Sequence, residues 1–210
     1  MDLTLVVMVT GFLGARAFHV LYENYDYYST YPMDILKIWQ GGFVFYGGLA
    51  GGLFGAYVFL KFKKEPVAMW ADFMAPILAF GYSLGRLGCF LNGCCYGRVC
   101  SLRWAIEFTQ PGLPSGLRHP TQLYASSWEF FVLLILLAVG RWKKNRREGS
   151  LFILWLFLHA SGRLAMEFFR DDYRGDNING FSISSLVSIT ILLLIIAFKG
   201  TDLLLNREHR

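Results

Sequence analysis

The stretch QLYASSWEFFVLLILLAVG, residues 122–140, decides the fold, together with the run RWKKNRREG, residues 141–149, that follows it. A helix needs about 20 largely apolar residues to cross a bilayer core. The first stretch has that length and carries one charge, Glu129. A strand buried on both faces is far shorter. The basic residues Arg141, Lys143, Lys144, Arg146 and Arg147 mark the cytoplasmic side. The reading is a spanning helix with its C-terminal end inward.

The pattern extends both ways. Leu3–Tyr22, Phe43–Leu60, Val67–Leu84, Leu151–Phe169 and Phe181–Phe198 are similarly apolar. With Gln122–Gly140 they give about six predicted transmembrane helices. Lys61, Lys63 and Lys64 follow the second segment, and Lys199, Arg207 and Arg210 follow the sixth. More than half of the 20 basic residues therefore fall in alternate gaps. The opposite gaps hold only Lys37, Arg98, Arg103, Arg118 and Arg174. This bias predicts both termini in the cytoplasm, and loops 23–42, 85–121 and 170–180 outside. The first outer loop is rich in Tyr, as an interfacial belt is.

Composition agrees. Charged residues are 17% of the chain, against about a quarter in soluble domains. Hydrophobic residues are 55%, and the mean hydropathy is +0.41. Too little polar surface is left to cover a water-facing globule. A soluble domain, a disordered chain and a nucleic-acid binder are excluded. No repeat or low-complexity linker appears, so residues 1–210 read as one polytopic membrane domain. The start, MDLTLVV, lacks the basic region of a cleavable signal peptide, so the first segment is expected to be retained.

Ionisable groups within spans are costly and mark function. Arg16, Arg86, Arg163 and Glu167 stand out. The last three lie toward the outward ends of their segments. Arg163 and Glu167 are four apart on one helix face and are expected to pair. Arg86 has no charged neighbour in its own segment and needs a carboxylate or an anion from elsewhere. Arg grips phosphate with two prongs, so a phospholipid headgroup is a natural partner.

His119, in RHPTQLY, sits near the same outer level, and His159 precedes Arg163 by one turn. Each is either a hydrogen-bonded interior His or a base. In GGFVFYGGLAGGLFG, residues 41–55, glycines recur every fourth residue and let helices approach closely. The glycine pair Gly47 and Gly48 beside Tyr46 also admits a ligand close to the backbone. Cys89, Cys94, Cys95 and Cys100 cluster on the outer side. They lack the C-x-x-C spacing of zinc knuckles, so no metal is expected. Disulfides fit that side, but their pairing cannot be read from sequence.

Five blocks in order resemble the prolipoprotein diacylglyceryl transferase family. TGFLGARAFHVLYEN, residues 10–24, resembles its G-G-R-x-x-Y helix, and KIWQGGFVFYGGLAGG, residues 37–52, its H-G-G-L segment. DFMAPILAFGYSLGRLGCFLNGCCYGR, residues 72–98, resembles its signature G-R-x-G-N-F-x-N-x-E-x-x-G. RHPTQLY, residues 118–124, and GRLAMEFFR, residues 162–170, match two more blocks. The resemblance implies transfer of diacylglyceryl from phosphatidylglycerol to the lipobox cysteine thiol of a prolipoprotein carrying its signal peptide. Glycerol phosphate leaves and a thioether remains. It implies an enzyme of the bacterial inner membrane, multi-pass in the lipid bilayer, working toward the outer side. It implies no cofactor.

By resemblance Arg86, Asn92, Arg163 and Glu167 occupy functional positions, with Glu167 orienting Arg163 or placing the headgroup. Arg16, Gly47, Gly48, Asn92, Gln122 and Tyr124 are the expected substrate contacts. The chain also departs from the pattern. Tyr46 replaces the His of H-G-G-L, Cys89 the signature's first Asn, and Cys94 its Glu. His159 stands where a Tyr is common. The family's first membrane helix has no counterpart, and the arm after the signature shrinks to residues 99–117. The base is therefore sought among His119, His159 and Tyr46, in that order. A diverged relative with another lipid or acceptor, and a non-catalytic lipid binder, are the other readings.

Overall fold

The computed structural model describes residues 2–109, 115–142, 146–171 and 182–208, without the side chains of residues 40, 45, 46, 183 and 198–208. The chain falls into two compact units, Met1–Val67 and Ala68–Arg210.

In the first unit, α1 (Asp2–Phe18) runs into a π-helical turn, His19–Glu23. Then come α2 (Tyr25–Thr30), two 3-10 turns (Pro32–Leu36 and Ile38–Gln40) and α3 (Phe45–Phe62). The segment expected as loop 23–42 is thus mostly short helices. Arg16 explains part of this. Its side chain is buried, with Nε donating to Ile35 O (3.1 Å) and Nη2 to Asp34 O (3.0 Å). Nη1 donates to Gly41 O (2.6 Å) and Gly42 O (3.2 Å). A buried cation is tolerated only when its donors are satisfied, and here four carbonyls of residues 34–42 satisfy it. The rings of Tyr28 and Phe43 lie 5.3 and 5.8 Å from Cζ.

α1 and α3 pack through glycine. A Cβ on Gly51 would strike the Thr10 carbonyl oxygen and come within 3.0 Å of Gly14 Cα. One on Gly47 would lie 2.5 Å from Gly14 O. Small residues four apart thus allow backbone-to-backbone contact. Where Gly48 and Leu49 face Phe12 and Ala15, an apolar groove of about 550 Å³ remains.

In the second unit, α4 (Val67–Leu91), α5 (Thr121–Trp142), α6 (Ser150–Glu167) and α7 (Ile183–Glu208) carry the fold. Ala75, Ala79, Val132, Leu136 and Leu151 form its buried core. Ser83 and Ser126 tie α4 to α5, each hydroxyl donating to the other's carbonyl at 3.0 Å. Asp72 on α4 caps α6, accepting from Gly149 N (3.0 Å) and Phe152 N (2.9 Å). A carboxylate there satisfies orphan amides and meets the positive end of the helix dipole.

α4 runs past the expected end at Leu84, because nothing breaks it before Gly93. There the chain turns left-handed (φ 71°). Gly93 N bonds Phe90 O (3.0 Å) and Cys94 N bonds Cys89 O (3.1 Å), a Schellman closure. The helical fold also carries one short ribbon. β1 (Ile106–Glu107) and β2 (Leu117–Arg118) pair antiparallel, and Gly97 bridges Arg170. Backbone groups outside the helices need partners, and this ribbon supplies them.

Asp2–Glu23, Val67–Leu91 and Thr121–Trp142 are long and apolar enough to cross a membrane. Gly47–Phe62 and Ser184–Ala197 are shorter apolar helices. The protein is a mainly helical chain built on membrane-length apolar helices.

The glycine contact makes a sharp expectation. Gly51→Ala should lower the thermal midpoint in detergent by the equivalent of about 1–3 kcal/mol. Gly52→Ala should leave it unchanged, because its Cβ would meet Val7 only at an ordinary 3.5 Å. In the segment after α1, Lys37 and Tyr27 both donate to Asp34 and hold its carboxyl below 3.8. The same bond pushes the Tyr27 hydroxyl above 10.0. The lowered carboxyl value means this contact is present above pH 3.8 and fades as pH falls below it. Asp34→Asn should bring Tyr27 back toward 10.0 in a tyrosine-labelled NMR titration.

Candidate active site

A narrow cleft opens among α4, α5 and α6. Tyr82 and Arg86 reach it from α4, Gln122 and Glu129 from α5, and His159 and Arg163 from α6. Arg170 joins them from just beyond α6. The free space is about 10 Å³, room for about one water. The three guanidiniums make it cationic.

Arg86 extends over the Tyr82 ring, with Cζ 4.7 Å from its centroid, and Nη2 donates to the Tyr82 hydroxyl at 2.7 Å. Among the described residues no carboxylate pairs with Arg86. Arg163 does pair with Glu167 as its spacing predicts, at 3.3 Å, and Nη2 donates to Ser184 Oγ on α7 at 2.6 Å. Arg170 is buried where its backbone bridges Gly97.

Glu129 is 2% exposed, and its Oε1 lies 2.7 Å from His159 Nδ1. In a neutral ring whose Nδ1 donates to the carboxylate, Nε2 carries the lone pair and can accept a proton. The His159 ring is edge-on to Tyr82 (4.8 Å) and tilted over Trp155 (5.3 Å). A carboxylate that orients an imidazole is the arrangement of a general base. Glu129 Oε2 and Gln122 Oε1 are buried and have no hydrogen-bond partner among the described residues.

The turn after α4 borders the cleft. Cys95 belongs to the lining and is one of two non-glycine residues with positive φ (64°) among those described. Buried side chains at the start of α5 hold this turn. Thr121 Oγ1 donates to Cys95 O (2.7 Å) and Gln122 Nε2 to Cys94 O (2.6 Å). The sulfurs of Cys89, Cys94 and Cys95 lie within 4.8 Å of one another.

The cleft therefore unites four residues expected from sequence: Arg86, Gln122, His159 and Arg163. Glu167 reaches it through Arg163. His119 and Tyr124 do not line it. His119 Nδ1 is 3.3 Å from the Tyr124 hydroxyl, which accepts from Trp104 Nε1 (2.8 Å), and both rings pack on Phe169. Asn92 is exposed in the turn, its amide bonded to Gly88 O (3.0 Å). Arg16, Gly47 and Gly48 belong to the first unit. The Tyr46 side chain lies outside the described residues. Sequence reasoning missed Tyr82, Glu129 and Arg170 as site residues. A carboxylate in the middle of an apolar span was the available signal for Glu129.

A family model described as prolipoprotein diacylglyceryl transferase matches residues 1–199. Among similar proteins are three named phosphatidylglycerol–prolipoprotein diacylglyceryl transferase. That of Clostridium tetani is 34% identical over 201 residues, covering 94% of this chain and 79% of its own. That of Geobacter sulfurreducens is 37% identical over 196 residues, covering 92% and 74%. That of Aeromonas salmonicida is 37% identical over 183 residues, covering 86% and 66%.

The clamp on the cysteine turn is testable. Gln122→Leu strips the Cys94 carbonyl of its donor and should cost about 1–3 kcal/mol. A thermal melt reads the loss, and faster alkylation of Cys94 should accompany it.

Proposed function

The chain belongs to the prolipoprotein diacylglyceryl transferase family, and from that premise we propose that it transfers diacylglyceryl from phosphatidylglycerol to prolipoproteins. The acceptor is the lipobox cysteine thiol beside the signal peptide. The observation that carries the reading is three guanidiniums and an oriented His on one cleft.

The thiol is a poor nucleophile and its thiolate a good one. His159 Nε2 takes the thiol proton, with Glu129 holding the ring and stabilising the imidazolium. The sulfur forms a bond to the glyceryl carbon that carries the phosphate. The carbon–oxygen bond to phosphate breaks, and its electron pair leaves with glycerol phosphate. Arg86 and Arg163 hold the phosphate and the charge that develops on it. Glu167 fixes Arg163 as a positioning residue. His159 is preferred to His119 because it lines the cleft beside Arg86 and Arg163, whereas His119 packs against Tyr124 and Phe169. Tyr46 comes last, because a phenol is a poor base at neutral pH.

Gln122 contributes the cleft's buried amide. The apolar groove at Gly48 suits acyl chains, with Gly47 securing the helix contact beside it. The four carbonyls around Arg16 support a structural part for it rather than a substrate contact. Asn92 and Tyr124 keep the substrate roles the resemblance implies, at the cleft's outer approach. The arrangement is one polytopic domain of six helices in the bacterial inner membrane. Both termini are cytoplasmic and the cleft lies toward the outer side.

The test uses the detergent-purified protein with phosphatidylglycerol and a lipobox peptide, followed by mass spectrometry. One diacylglyceryl mass should be gained. Arg86→Ala should slow the gain by about 10²–10³-fold, and His159→Phe by about 10²–10⁴-fold. No gain from a folded sample, beside an active relative, overturns the reading. An undiminished rate in Arg86→Ala overturns the assignment of the site.

A further inference from the structure

The three thiols beside the cleft have no part in the transfer just described. Their convergence follows from the end of α4. The Schellman closure bonds Cys94 N to Cys89 O and folds Cys94 back over the last turn, with Cys94 Sγ 3.6 Å from Cys89 O. Side chains of adjacent residues in extended chain point to opposite faces. The left-handed backbone at Cys95 defeats that alternation, so Cys94 and Cys95 direct their sulfurs to one place. Such a conformation is strained for a residue with a Cβ and persists only when its surroundings enforce it. The bonds from Thr121 and Gln122, 3% and 1% exposed, enforce it here.

We propose that Cys89, Cys94 and Cys95 hold one thiophilic divalent cation, zinc in the first instance, through three thiolates. The expectation of no metal rested on missing C-x-x-C spacing, and the turn supplies in space what the spacing lacks. Zinc–sulfur bonds of about 2.3 Å put the sulfurs of a tetrahedral site about 3.8 Å apart. Sulfurs already within 4.8 Å reach that by side-chain rotation. Binding releases three protons and needs no oxidant. The product, one dication with three thiolates, carries a net charge of −1. Arg86, one turn before Cys89 and without a carboxylate partner among the described residues, balances it. Three protein ligands leave one of zinc's four positions to an outside ligand, as in catalytic zinc sites.

The experiment uses the full chain in detergent, reduced and stripped with chelator, titrated with Co(II). Thiolate-to-cobalt charge-transfer absorption should saturate at one equivalent and vanish when Zn(II) is added. Cys100→Ser should bind equally, and Cys95→Ser at least ~10-fold more weakly. A second measurement spares the unsubstituted chain any folding defect. Zn(II) should slow iodoacetamide labelling of Cys89, Cys94 and Cys95, read by peptide mass, and leave Cys100 unchanged. Absence of the absorption, equal binding by Cys95→Ser, or labelling indifferent to zinc overturns the proposal. So does a Cys94–Cys95 disulfide whose reduction yields no cobalt uptake.

Discussion

Charge carried into an apolar interior has to be answered there, and at Arg16, Asp72, Glu129 and Arg163 this chain answers it locally. Four carbonyls surround Arg16. Two helix amides meet Asp72. His159 meets Glu129, and Glu167 with Ser184 meets Arg163. Removing one partner of such a pair costs more than the pair itself contributes, because the survivor stays buried. The helices are therefore fixed in register by their polar residues as much as by their apolar ones. Asp72 illustrates this, since one carboxylate on α4 sets where α6 begins.

The sequence was most legible where one physical rule decided the outcome. Apolar length located the starts of the helices to within two residues. The Arg163–Glu167 pair followed from helical spacing alone. Ends and turns were less legible. α4 outran its apolar stretch because only Gly93 stops it, and the helical turns of 25–40 depend on Arg16 reaching back across them. The cleft was half visible. Its Arg and His residues carried their own signal, whereas Tyr82 and Arg170 matter through their neighbours, which periodicity does not report.

The departures from the family pattern also cohere in three dimensions. By the resemblance, Tyr46 stands at the family's His, and Cys89 and Cys94 at its Asn and Glu. His159, read at a common Tyr position, sits against the Glu129 carboxylate. The two replaced polar residues became neighbouring sulfurs. In the second unit, exchanges that look like scattered losses along the chain put a His–carboxylate pair and a cluster of sulfurs beside one cleft.

The narrowness of that cleft has a consequence of its own. It holds about 10 Å³, far less than a phosphoglycerol headgroup occupies. For the proposed transfer, the cleft has to widen before it takes the headgroup. Apparent affinity is divided down by the fraction of molecules that have opened. Widening the cleft for that proposed transfer works against the lateral pressure of the surrounding acyl chains, so membrane order enters the rate.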